Sequence, residues 1–168
     1  MISIQTPTDI FTIEEASAWF DLEKITDTPV QFDKNRLLEI NVAHIKRLPA
    51  LELAKFIGYS SKDLGELAKI YTQEASTINE IKSKIDAIFA KKEPLEFQEE
   101  FKILSKVAKE APYFKEFEDF KAHLLKESGL KGEQLIKPLI FLLTGAEDAP
   151  ELSDIYPHIR NYLGEIIQ

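Results

Sequence analysis

Between Lys131 and Pro150 the chain reads KGEQLIKPLIFLLTGAEDAP, and this stretch limits what the rest can become. An apolar run, Leu139 to Leu143, follows Pro138 and closes on Thr144-Gly145, with an acidic loop and Pro150 beyond it. The pattern predicts a short buried helix. Gly145 stands where a helix C-terminus needs a residue free to take positive φ, and Pro150 is placed to open the next helix. Phe141 and Leu143 are therefore expected to be buried under the last helix.

The other segments carry the same period. Thr12, with Glu15 three residues on, forms a capping box that Phe11 is placed to staple against Ala16, and the helix it opens ends near Phe20-Asp21. A polar extended piece follows, in which Pro29 keeps Thr28 out of helical geometry. Asp33 caps a helix over Lys34 to Arg47 whose apolar side is Leu37, Leu38, Ile40 and Ile45, with Asn41 and His44 on that side. Pro49 starts a short helix that stops at Gly58, and Ser60 or Ser61 opens another carrying Leu64, Leu67, Ile70 and Tyr71. Thr77 and Glu80 make a second capping box before Ile81, Ile85 and Ile88. Helices from about Pro94 and about Tyr113 follow, and a final one from Glu151 is bent or broken at Pro157. No segment alternates as a strand would. Eight or nine short helices without a sheet make an all-α, multi-helix bundle or cage. A subdomain seam near Tyr71 to Ser76 divides it into residues 1–72 and 73–168.

What the chain lacks narrows the chemistry. With no cysteine it has no disulfide scaffold, thiolate zinc site or cysteine nucleophile, which suits a reducing cytosol. No apolar run approaches the ~20 residues that span a bilayer. His44, His123 and His158 are widely separated, and no nucleotide-binding or zinc-protease motif is present. No catalytic residue and no metal ligand is expected. The net charge of −8 is distributed over both halves, so any nucleic-acid contact must use local basic patches. Lys102, Lys106 and Lys109 form one such patch within a ~60° sector of their helix, and Arg36, Lys46 and Arg47 form another.

Two long runs resemble a known family. Phe11-Thr12-Ile13-Glu14-Glu15, then Phe20 through Asp33, follow the pattern F-[ST]-L-E-E … F-D-L-E-x-[IV]-S-K-S-P-A-x-F-D of bacterial glutamyl-tRNA synthetases. Arg36, Asn41, His44, Ile45 and Lys46 fit the next family motif. Lys131 through Gly145 follow K-G-x-x-[apolar]-x-x-P-L-R-x-x-L-T-G, with Ile140 where the family has Arg. The resemblance implies the anticodon-binding type of class I synthetase fold, with residues 1–72 as a connecting helical subdomain and 73–168 as the anticodon-binding cage. It implies tRNA as partner, a cytoplasmic monomer, and no DNA or membrane contact. The family's H-I-G-H and K-M-S-K-S motifs are absent, so the chain itself needs no cofactor and is inactive. The whole ligase it resembles attaches glutamate to tRNA with ATP and Mg²⁺. The start at Met1, joined directly to the piece that follows the catalytic domain in the family, implies a chain cut short of that domain.

The resemblance also places anticodon-reading positions at Glu74, Ile140 and Thr144, and RNA-backbone contacts at Arg36, Lys46, Arg47, Lys102, Lys106 and Lys109. Family members carry arginine at the first two reading positions, and here both arginines are missing. A carboxylate at Glu74 suits the donors on a guanine edge better than the acceptors on a cytosine edge. That points to glutamine tRNA, and to Glu-tRNA(Gln) made for later amidation. A solvent-facing Glu74 before a helix cap is the plainer reading of the same residue. The acidic charge and missing arginines equally suit an acidic all-α protein-interaction module that binds no tRNA.

Overall fold

The computed structural model describes residues 3–4, 8, 10–26 and 33–168. Among these lie ten α-helices: α1 (Ile13–Trp19), α2 (Lys34–Arg47), α3 (Ala50–Phe56), α4 (Lys62–Tyr71), α5 (Ile78–Phe89), α6 (Gln98–Glu110), α7 (Phe117–Ser128), α8 (Glu133–Thr144), α9 (Leu152–Ile159) and α10 (Leu163–Ile166). The all-α expectation holds, with one addition. Two-residue strands β1 (Ser3–Ile4) and β2 (Ile25–Thr26) pair antiparallel, so the N-terminal piece closes on itself by a short ladder.

Local chemistry fixes the first helices. Thr12 and Glu15 cap α1 reciprocally, Thr12 N–H donating to Glu15 at 2.7 Å and Glu15 N–H to the Thr12 hydroxyl at 3.2 Å. No residue of α1 is buried, and Phe11 meets Trp19 edge-on at 5.5 Å. The piece after α1, expected to be extended, begins as a 3₁₀ turn over Leu22–Lys24 capped by Asp21. The Pro29 expectation and the family match from Asp27 to Phe32 lie outside the described residues. Asp33 caps α2 by accepting from the N–H groups of Asn35 and Arg36. The apolar side of α2 is only partly used: Ile45 is buried, whereas Leu37 is 51% exposed.

The core begins at Ile45 and continues to Ile167 as one buried cluster. α4 packs on α3, α5 and α9, and α6 on α7 and α8. Leu53, Leu67, Ile81, Ile85, Ile88 and Leu104 are fully enclosed. Gly65 lets α4 cross α3 at backbone contact, since a Cβ there would overlap the Ala50 carbonyl group. Tyr156 stacks on Phe120 at 5.2 Å and donates its hydroxyl to the Phe114 carbonyl at 3.0 Å, joining α9 to α7. Lys92 ties the end of α5 to α10, its ammonium donating to Ile88 O at 2.6 Å and Ile166 O at 3.0 Å.

Several boundaries differ from the sequence reading. α6 starts at Gln98, not Pro94, because Phe97 takes a left-handed conformation (φ 53°) and turns the chain into the helix. α7 starts at Phe117, four residues later than expected. α8 starts at Glu133 and runs through Pro138, which sits inside the helix instead of before it. α8 lies mainly against α6 and α5. Leu143 is buried as expected, but Phe141 is only half-buried, its ring edge-on to Phe101 at 5.9 Å. The final helix gives way at Arg160, three residues after Pro157, to a 3₁₀ turn and α10.

Two buried tyrosines and one partly buried one set an alkaline limit on this fold. Burial pushes the hydroxyls of Tyr59, Tyr71 and Tyr156 up to about 12, and Tyr59 is further held protonated by donating to Asp86 at 2.9 Å. An unfolded tyrosine ionises near pH ~10. Stability linked to these groups is therefore fully present below about pH 10 and is lost as pH rises toward 12. The melting temperature should fall steeply across that interval, and less steeply in Tyr71→Phe. A melting temperature that stays level from pH 10 to 12 would contradict the burial of these hydroxyls.

Candidate nucleic-acid interface

The turn from Tyr71 to Ser76 carries Glu74, the first position that the resemblance assigns to anticodon reading. The N–H groups of Glu74 and Ala75 both donate to Tyr71 O, at 3.1 and 3.0 Å, which folds the chain back before the capping box of α5. Asn41 of α2 fastens the same turn, its side-chain amide donating to Ser76 O at 2.5 Å. Glu74 is neither buried nor free. Its Oε2 pairs with Lys84 Nζ at 2.9 Å, and that ammonium also lies 5.5 Å from the centre of the Tyr71 ring. Glu74 is solvent-exposed, as the plainer reading has it, and its carboxylate is at the same time paired with a lysine two turns into α5.

The other two positions so assigned, Ile140 and Thr144, lie on α8. Ile140 is half-buried against the core, so it offers apolar surface where an arginine would offer donors. Thr144 is buried; its hydroxyl donates to Ile140 O at 2.7 Å and accepts from Ala146 N–H at 3.2 Å. It shapes the turn after α8 and has no exposed atoms to spare for a ligand. Gly145 has φ 72°, as the pattern required, and sits against the backbone of Ala87 in α5. α5 therefore touches both reading regions, through Lys84 at Glu74 and through Ala87 at Gly145.

The basic candidates separate into two places. Arg36, Lys46 and Arg47 are exposed on α2, where Arg36 Nη1 pairs with Glu39 at 2.7 Å. Lys102, Lys106 and Lys109 are exposed on α6; Lys102 is paired with Glu99 at 2.7 Å, while Lys106 and Lys109 make no ion pair among the described residues.

Sequence reasoning missed two features beside these. One is a cleft of about 240 Å³ between Phe97, Pro138 and Phe141, with Lys137 at 5.5 Å from the Phe97 ring and Glu96, Glu147 and Asp148 at its walls. The acidic loop was visible in the sequence, but its apposition to Phe97 depends on the left-handed turn. The other is a larger cleft near Arg160, taken up below.

The described residues form an all-α bundle with one continuous core, whose fifth helix touches both loop regions, an arrangement consistent with the class I synthetase anticodon-binding type. The relatives narrow this further. Over all of its length the chain is 47% identical to glutamate–tRNA ligase 2 of Sulfurimonas denitrificans, and over 99% of its length it is 48% identical to glutamate–tRNA ligase 1 of Campylobacter jejuni. It is 48% identical over 96% of its length to glutamate–tRNA ligase 2 of Sulfurovum sp.. The chain spans 38–39% of the length of these relatives. No family model matches it. The proteins it matches are glutamate–tRNA ligases, and it aligns with part of each.

Proposed function

We propose that this chain is the tRNA-binding part of a glutamate–tRNA ligase, and that the whole ligase, using ATP and Mg²⁺, directs glutamate to glutamine tRNA. In this reading residues 1–72 connect to the catalytic part and residues 73–168 form the cage that meets the anticodon. The protein acts as a cytoplasmic monomer; no helix among the described residues is long and apolar enough to cross a membrane.

The observation that carries the specificity is Glu74, held by Lys84, at a position where the resemblance implies an arginine. A guanine's pairing edge presents N1–H and N2–H₂ donors, which a carboxylate accepts, whereas a cytosine presents acceptors that the same carboxylate repels. The ion pair does not prevent this. A partly exposed pair contributes roughly 0–1 kcal/mol, while a good two-point base contact discriminates by about 1–3 kcal/mol. The base contact wins, and Lys84 serves to aim the carboxylate. Ile140 adds no donor that would favour cytosine.

Filter binding of the chain to glutamine and glutamate tRNAs tests this directly. The wild type should favour glutamine tRNA by about 5- to 150-fold, the equivalent of that contact, and Glu74→Arg should move the preference toward glutamate tRNA. Equal binding by the wild type, or no movement in the variant, would remove the specificity and leave only general tRNA binding.

A further inference from the structure

The largest of the clefts described lies on another part of the bundle, where the end of α6 and the start of α7 meet α10. It measures about 550 Å³ and is lined by Lys109, Tyr113, Phe120, Arg160, Gly164 and Ile167, among others. Its side chains include two cations and no acidic side chain, in a chain of net charge −8, and the last residue, Gln168, with the terminal carboxylate, also lines it. The Phe97 cleft is the reverse case, with three carboxylates against one lysine.

Arg160 is the central group. Its Nη1 donates to Lys115 O at 2.6 Å, its Nε is buried and donates to nothing, and it makes no ion pair among the described residues. A guanidinium carries five donors in a planar fork that matches phosphate. Lys109 is likewise without an ion pair, and Tyr113 stands at the rim with 65% of its surface exposed. Phe120 and Ile167 close the apolar floor. The exposed lysines of α6 lead to this place, Lys102 to Lys109 rising about 10 Å along the helix at 1.5 Å per residue.

From these features we propose that the cleft is a nucleotide subsite. It takes one unpaired nucleotide of the bound RNA, the base against Tyr113 and the apolar floor, the phosphate on Arg160 and Lys109. The inference rests on the tRNA-binding reading and adds a contact region separate from Glu74 and Ile140. Single-stranded nucleic acid is commonly held by this pairing of an aromatic platform with cations. An acidic peptide would satisfy the cations but would make no use of an exposed ring over an apolar floor.

The experiment is filter binding of bulk tRNA to the 168-residue chain, with thermal melts of each variant as a folding control. Tyr113→Ala should weaken binding about 5- to 150-fold, the range for loss of one stacked base. Gly164→Leu should weaken it comparably by filling the cleft, since a Cβ at Gly164 meets nothing within 4 Å. Lys109→Ala should lower the slope of log affinity against log salt by about one. Arg160→Gln should also weaken binding; if it fails to fold, Tyr113→Ala and Gly164→Leu decide. Wild-type chain that binds no tRNA would overturn the functional reading and this subsite together. Wild type that binds, with Tyr113→Ala and Gly164→Leu both equal to it, would overturn the subsite alone. So would a polyglutamate peptide whose binding the same two substitutions abolish while tRNA binding is untouched.

Discussion

Gly65→Ala should lower the melting temperature by about 5–15 °C, on the scale of 2–4 °C per kcal/mol for a chain of this size. Two effects oppose each other. Alanine in place of glycine inside α4 gains about 1 kcal/mol of helix propensity. Against this, the new Cβ would overlap the Ala50 carbonyl group and lie 3.1 Å from Ala50 Cα. The obstruction is backbone in the first turn of α3, so no side chain can swing aside. α4 must retreat from α3, and α4 also carries Leu64, Leu67, Ala68 and Tyr71 into the core. Overpacking of flexible side chains costs about 1–3 kcal/mol; a backbone collision that shifts a whole helix belongs above that range, so the clash outweighs the propensity gain by about 2–4 kcal/mol. A variant that melts with the parent would show that α3 and α4 do not cross so closely.

Gly145→Val should be as damaging, by about 3–5 kcal/mol, with two separable causes. The backbone stands at φ 72°, where a β-branched residue is an outlier. The space is also taken, since a Cβ would strike the Ala87 carbonyl and lie 3.3 Å from Ala87 Cβ. Gly145→Asn separates the causes, because asparagine tolerates the left-handed conformation but still carries a Cβ. Asparagine should recover the strain and keep the clash, melting between the parent and the valine variant. Equal melting of all three proteins would refute both the conformation and the contact. Because α5 touches both Glu74 and Gly145, the proposed tRNA discrimination should weaken in Gly145→Asn even where the fold survives.

The parts of this fold that a reader could find in the sequence are those decided within four residues. Thr12 with Glu15, Thr77 with Glu80, and Asp33 all cap the helices that their spacing announces. α6 and α7 were placed early because neither has a side-chain cap; Phe97 and Glu116 stand at their starts with no such bond. Pro138 misled for a related reason. A proline within α8 forfeits one backbone donor, and the helix continues because its apolar side is clamped between α5 and α6. The candidate site was legible as positions but not as contacts. Glu74 stood out by charge, yet its partner Lys84 is ten residues away across a turn, outside any helical pairing rule. Arg160 gave no signal at all, since only the packing of α10 against the α6–α7 turn makes a cleft around it.

The placement of Trp19 has a consequence for optical measurements. It is the sole tryptophan, and it rests on Phe11 in a helix with no buried residue, whereas Tyr71 and Tyr156 lie in the core. Tryptophan emission therefore reports on α1 and its neighbour, and tyrosine absorption or near-ultraviolet dichroism reports on the bundle. Heat or denaturant will move the two signals at different points if α1 comes away first. Such a mismatch would reflect where the chromophores sit and not a partly folded core. Far-ultraviolet dichroism, weighted toward the core helices, should follow the tyrosines.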